Sequence, residues 1–187
     1  MFEWITEIDH GILLFIQEYL RLDWLTPFVK FISSLGNAGF FWILLSVGFL
    51  CFKKTRKAGV LSLLSLLLCF LVTNVALKNI VARMRPYHRY EDILLLIAHP
   101  GDFSFPSGHS ASAFAAAGVL FHYVDKRVGI GLLILASAIA LSRLYLGVHY
   151  PTDVLAGVCV GLICSLIVQA LAQRFANRSL QLSLIHI

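Results

Sequence analysis

The chain has 187 residues, 59% of them hydrophobic and 13% charged, with a mean hydropathy of +0.83. Soluble domains carry about a quarter of their residues charged, so this composition excludes a soluble globular protein and points to one all-α integral membrane domain. A net charge of +5 suggests nucleic acid in a soluble protein. Here Lys and Arg gather at the ends of apolar runs, which is a topology signal and argues for no nucleic-acid partner.

Residues 3–20 come first. Ile5, Ile8, Ile12, Phe15 and Tyr19 recur at helical spacing, while Glu3, Glu7, His10, Gln17 and Glu18 lie elsewhere on the wheel. This predicts an amphipathic helix lying in the bilayer interface. Glu3, Glu7, Asp9 and Glu18 stand where a cleavable signal peptide needs a basic region, so none is expected. Asp23, Pro27 and "SSLGNAG" (33–39) interrupt the pattern and leave a second short helix at about 24–35.

Crossing a bilayer takes about 20 apolar residues in a helix. Five runs approach that length: 37–52, 58–77, 108–124, 128–146 and 153–172. The expectation is a bundle of five transmembrane helices, or six if the N-terminal region also crosses. It divides into amphipathic helices at 1–36, a membrane domain at 37–174 with a long loop at 78–107, and a tail at 175–187. The last six residues, "LSLIHI" (182–187), follow the polar "RFANRS" and resemble an in-frame translation of a sequencing adapter. The natural C-terminus is therefore expected to be cut short there. Cys51, Cys69, Cys159 and Cys164 all lie in apolar runs with no CxxC spacing, and read as small core residues.

Three polar clusters interrupt the apolar pattern at one membrane face: "KNIVARMRP" (78–86), "FPSGHS" (105–110) and "SRLYLGVHYPTD" (142–153). Charge beside a span is expensive unless it is paired or lines a polar cavity. Lys78 alone, like Arg83, reads as an anchor that snorkels to the headgroups. Lys78, Arg85 and Arg143 together read differently, because three cations on one face need anions and Asp153 cannot neutralise them all. A bound phosphate can.

Ser107 after Pro106 is a good N-cap, and an apolar helix follows at once. The free N–H groups near Gly108 and His109 then point outward at the positive end of the helix dipole, a ready anion site that Gly108 lets a phosphate approach. A Pro-Ser-Gly start is equally common in purely structural helices. In the third cluster, Tyr150-Pro151 predicts a helix start that places Asp153 four residues after His149. From there a carboxylate reaches Nδ1 of His149, fixes the tautomer and leaves Nε2 free for attack. His109 is a second imidazole, able to protonate a leaving oxygen. Positioning, charge neutralisation and proton management are what phosphoryl transfer requires. With no carboxylate cluster of the kind that holds magnesium, neither a metal nor another cofactor is expected.

Lys78 and Arg85-Pro86, then Pro106-Ser107-Gly108-His109, then Ser142-Arg143, His149 and Asp153, resemble the tripartite signature of the type 2 phosphatidic acid phosphatases. The resemblance covers about residues 24–172 and shows no departure within the motifs. It implies a helical membrane phosphatase with His149 as the residue that carries the phosphoryl group, His109 as acid and then base, and Lys78, Arg85, Ser107, Gly108 and Arg143 around the phosphate. Soluble haloperoxidases share the signature with vanadate in the phosphate site, and the five apolar runs argue against that branch.

Orientation follows from Lys and Arg in short loops. Eight (Lys53, Lys54, Arg56, Lys57, Lys126, Arg127, Arg174, Arg178) face seven (Arg21, Lys30, Lys78, Arg83, Arg85, Arg89, Arg143). Setting aside Lys78, Arg85 and Arg143 as site residues leaves eight against four. The "KKTRK" side is then cytoplasmic, and the clusters face outward from a bacterial inner membrane. The expected partners are the bilayer and a phosphorylated lipid, undecaprenyl pyrophosphate first, then phosphatidylglycerophosphate or phosphatidic acid. Two alternatives remain open: a lipid phosphotransferase with an acceptor alcohol held by the polar loop at 87–104, and a non-enzymatic lipid-binding protein. Within that loop His88, Arg89, Glu91, Asp92, His99 and Asp102 otherwise read as a solvated cap over the site.

Overall fold

The computed structural model describes residues 3–185, with side chains to Arg178. The adapter-like residues 182–187 therefore lie outside the described side chains. The described residues form helices and connecting loops only: α1 (Glu3–Phe15, extended by a π-helical turn at Ile16–Leu20), α2 (Thr26–Ser34), α3 (Phe40–Leu50), α4 (Arg56–Phe70), α5 (Lys78–Val81), α6 (Pro86–Arg89), α7 (Gly108–Tyr123), α8 (Lys126–Tyr145) and α9 (Pro151–Ile185). A π-helical stretch, Leu71–Leu77, carries α4 directly into α5.

Local chemistry accounts for the boundaries. Pro86 opens α6 and Pro151 opens α9 in the first helical turn. Ser107 caps α7 by accepting from the Ser110 amide, and Asp125 caps α8 by accepting from the Arg127 amide. Gly147 (φ +74°) turns the chain after α8, where a Cβ would meet the Leu94 carbonyl oxygen at 2.8 Å. The Phe105–Pro106 peptide bond is cis.

α7 runs through the centre of the bundle and packs against α9, α8 and α4. Its Ala111, Ala113, Ala115, Ala116, Ala117, Val119 and Leu120 are fully buried. Small residues let helices approach where lipid offers no hydrophobic drive to associate, and hydroxyls then bond across the seams. Ser46 and Ser62 join α3 to α4 at 2.7 Å, and Ser65 donates to the Ala115 carbonyl at 2.9 Å. The outer faces are apolar instead: Leu64, Leu67 and Phe70 on α4, Ile134 and Leu141 on α8, and Leu155, Ile163 and Leu166 on α9 are exposed, as a lipid-facing surface requires.

Among the described residues three helical stretches are long and apolar enough to cross a membrane, Arg56–Arg89, Lys126–Tyr145 and Pro151–Arg178; a fourth candidate is α2 with Asn37–Leu50, bent by 44°. The five runs read from the sequence correspond to this set plus α7. At 16 residues α7 is shorter than these stretches and is not among them; it packs against α9, α8, α4 and α3. α1 with its π-helical extension is not among these stretches and carries Glu3, Glu7, Asp9 and Glu18. Ile8, Ile12, Phe15 and Tyr19 lie exposed on its outer face, while Asp9 and Leu13 are buried against the bundle. Of the four cysteines, Cys69 and Cys164 are core residues as expected, whereas Cys51 and Cys159 are exposed; an apolar run in a membrane protein fills the lipid face as well as the core.

The α7–α9 seam is tight at Gly161, where a Cβ would stand 2.4 Å from the Ala111 carbonyl oxygen and 2.9 Å from the Ala115 amide. Overpacking costs about 1–3 kcal/mol. Gly161→Ala is expected to lower the melting temperature in detergent, while Gly131→Ala on α8, with no atom within 4 Å of the added carbon, does not lower it. Equal melting temperatures for the two variants would contradict the close approach.

Candidate functional site

Because successive long helices run in opposite directions, the end of α4–α5, the start of α7, the end of α8 and the start of α9 meet at one end of the bundle. All three polar clusters arrive there. They surround a cavity of about 870 Å³ lined by Lys78, Arg85, Gly108, His109, Arg143 and His149, with Ile97, Ala98, Pro100 and Asp102 of the long loop as its roof. Away from the cations the lining becomes apolar, through Ile43 of α3 and Leu63, Leu66, Leu67 and Phe70 of α4.

Lys78, Arg85 and Arg143 are buried. Arg85 spans the site: Nη1 donates to the Val148 carbonyl at 2.7 Å and stands 3.4 Å from Nε2 of His149, while Nε and Nη2 donate to the carbonyl (2.8 Å) and carboxylate (2.6 Å) of Asp102. Lys78 also pairs with Asp102. Arg143 donates to Ser33 at 2.5 Å, and its Nε is buried with no partner among the described residues. One roof carboxylate thus serves two cations, and the third retains an unmet donor. Burial would raise the Asp102 carboxyl, but the hydrogen bonds and charges of Lys78 and Arg85 outweigh it and hold the group down at about 2.

His149 follows the Gly147 turn and lines the cavity although it is buried, with its Nδ1 3.6 Å from Oδ2 of Asp153. This is the pairing expected from the spacing, at ion-pair distance. Ser104 completes it, donating to Asp153 Oδ2 at 2.5 Å while lying 3.5 Å from His149 Nδ1. The Tyr150 amide donates to the same carboxylate oxygen at 3.0 Å. Burial pushes the imidazole down to about 4, against the opposing pull of Asp153 and with further lowering from Arg85 and Arg143. His149 is therefore a neutral base near pH 7.

His109 also lines the cavity, its Nε2 3.0 Å from Asn37 Oδ1. Gly108 lies near Lys78, since a Cβ on it would be 3.8 Å from Nζ. Its amide and that of His109 have no acceptor within the helix by position. Ser107 does not line the cavity: its hydroxyl caps α7 and its amide donates to the Asp153 carbonyl at 3.0 Å. Asp153 likewise stands behind the wall. Every residue anticipated from the motifs comes to this end of the bundle, the lining residues in front and Ser107 and Asp153 behind.

Other participants escaped the sequence reading. Asp102 looked like one of several loop acids. Asn37, Ser104 and Asp9 carried no motif, and Arg83 read as a headgroup anchor. Arg83 instead bonds Asp153 at 2.6 Å and Asp9 at 2.8 Å. The available signal was the spacing of Asp9 four residues before Leu13, both on the buried stripe of α1. His88, Arg89, Glu91, Asp92 and His99 do not line the cavity, and Asp92 is held by His10 at 3.0 Å. The loop is thus a roof whose polar residues mostly face away.

The PAP2 superfamily model matches residues 58–176. The chain belongs to the PAP2 superfamily. It is 33% identical over 143 residues to an undecaprenyl-diphosphatase of Sulfolobus acidocaldarius, covering 76% of this chain and 68% of the relative. The crystal structure of a transmembrane PAP2-type phosphatidylglycerolphosphate phosphatase from Bacillus subtilis superposes with a TM-score of 0.76 at 30% identity, covering 92% of this chain and 88% of the other. Aquifex aeolicus LpxE gives the same TM-score and identity, covering 86% and 93%. The motif resemblance and the helical membrane architecture agree with this membership.

The environment of His149 has a direct readout. A histidine whose value falls from 6.5 unfolded to about 4 in the folded protein binds fewer protons folded than unfolded, so its contribution to stability is present above pH 6.5 and is lost as pH falls toward 4. In histidine-labelled protein, the NMR signal absent from His149→Gln is expected to titrate near pH 4. Titration at or above 6.5 would contradict the buried, cation-flanked ring.

Proposed function

We propose that the protein is a multi-pass lipid phosphatase that removes the terminal phosphate of a phosphomonoester or pyrophosphate lipid at the extracytoplasmic face of a bacterial inner membrane. The observation that carries this reading is the cavity itself: a neutral His149 beside three buried cations at one end, and apolar α3 and α4 side chains at the other. A phosphorylated headgroup suits the first and a lipid chain the second. In this reading α7 is the additional span that brings the crossing helices to five, since both of its ends join helices that qualify. The excess of Lys and Arg at the opposite loops supports the outward placement of the site.

The reaction proceeds in two steps. Phosphate oxygens displace Asp102 and lie among Lys78, Arg85, Arg143 and the first-turn amides of α7 at Gly108 and His109, with Ser107 holding that turn in place. His149 Nε2 attacks phosphorus as the bond to the leaving oxygen breaks, and His109 gives that oxygen a proton. Asp153 stabilises the positive charge that grows on His149. Water then attacks the phosphohistidine and yields its proton to His109, releasing orthophosphate and restoring both rings. The positive charge is supplied by side chains, so turnover proceeds without a divalent ion. Undecaprenyl pyrophosphate is the preferred substrate, with phosphatidylglycerophosphate and phosphatidic acid next.

Purified protein in detergent with EDTA is expected to release orthophosphate from a panel of these lipids. His149→Ala should lower kcat by about 10³-fold or more, on the scale of losing a nucleophile. Loss of activity on chelation would overturn the metal-free mechanism. Label recovered in an added alcohol instead of orthophosphate would make the protein a transferase, and undiminished turnover in His149→Ala would remove the nucleophile assignment.

A further inference from the structure

Asp9 is 1% exposed although it sits on a helix whose other face is apolar and open. Buried carboxylates persist when they are paired and hydrogen-bonded, and the partners of Asp9 lead into the site. Arg83 Nη2 donates to Oδ2 at 2.8 Å, Thr152 Oγ1 donates to the same oxygen at 2.5 Å, and the Thr152 amide donates to Oδ1 at 3.0 Å. The other end of the guanidinium, Nη1, donates to Asp153 Oδ1 at 2.6 Å and to Thr152 Oγ1 at 2.7 Å. Its plane lies over the Tyr150 ring, 3.8 Å from the centroid. One half-buried cation is therefore shared between a carboxylate from α1 and the carboxylate behind His149.

The sharing has an electrostatic consequence. A guanidinium held by Asp153 alone would neutralise it and weaken its support for a protonated His149. Asp9 draws part of that charge away and holds Arg83 in a single orientation, so Oδ2 of Asp153 keeps its negative character toward Nδ1. α1 is independently pinned to the roof loop by His10 on Asp92 and by Gln17, whose side chain donates to the Asp92 carbonyl at 2.9 Å and accepts from the Leu94 amide at 2.8 Å.

We propose that Asp9, acting through Arg83 and Thr152, is a positioning residue for the Asp153–His149 pair, so that the interfacial helix α1 completes the active site. This rests on the assignment of His149 as nucleophile. Asp9→Asn keeps the shape and an acceptor for the Thr152 amide but removes the charge. It is expected to lower kcat by about 10- to 100-fold, the range seen when a partner behind a functional side chain is lost, with KM within about twofold because no lining residue changes. Thr152→Val, which keeps the branched shape and removes the bridging hydroxyl, should lower kcat several-fold in the same manner. His10→Gln, which loosens α1 at the roof without touching Arg83, should leave kcat unchanged.

Wild-type kcat in folded Asp9→Asn and Thr152→Val, with only the melting temperature reduced, would overturn the proposal and leave Asp9 as a clamp for α1. A loss of kcat in His10→Gln as large as in Asp9→Asn would also overturn it, since any loosening of α1 would then suffice. The underlying assignment fails separately, through retained turnover in His149→Ala.

Discussion

Lys78, Arg85 and Arg143 place three positive charges within one buried end of an apolar bundle, and the surrounding structure is organised by the need to compensate them. A buried unpaired charge costs several kcal/mol, so the chain supplies Asp102 from the roof to two of the cations and a serine hydroxyl to the third. A single carboxylate on two cations is an incomplete answer, and the unmet Nε of Arg143 shows where the deficit lies. In the proposed function, an oxyanion with several acceptor oxygens resolves it. The short turns, the Ser107 cap and the proline starts of α6 and α9 bring the four helix ends to the one place where such an anion fits.

The carboxylates Asp153 and Asp9 form a group separate from Asp102. Asp153 faces His149 on one side and Arg83 on the other, and Arg83 is balanced in turn by Asp9. Charges thus alternate in layers, with the cradle cations in front, the imidazole next, then Asp153, Arg83 and Asp9 toward α1. The front layer is arranged to meet a ligand. The layers behind are closed by protein groups, so their geometry is set before any ligand arrives, which is the condition for electrostatic preorganisation.

Much of this was legible in the sequence because it is local. The apolar runs located the starts of the long helices to within a few residues, though α9 runs well past the end read at 172; Pro-Ser-Gly marked the start of α7, and the four-residue step from His149 to Asp153 across a proline placed the carboxylate behind the ring. Long-range pairing was not legible. Nothing near Asp9 announces that it will meet Arg83, 74 residues later, and Asp102 differs from its loop neighbours only in where the roof folds. α7 shows a related limit: its apolar run is Ala-rich and largely enclosed by protein, and at 16 residues it falls outside the described stretches long and apolar enough to cross a membrane.

Whether His149 carries the phosphoryl group is read by mass spectrometry of protein quenched in alkali, where a phosphoramidate survives, after brief exposure to an activated phosphate monoester whose leaving group needs no acid. A phosphorylated peptide containing His149 is expected, more abundant in His109→Ala because the base that activates water is gone, and absent from His149→Ala. Phosphate on His109 or another residue, or label that persists in His149→Ala, would contradict it.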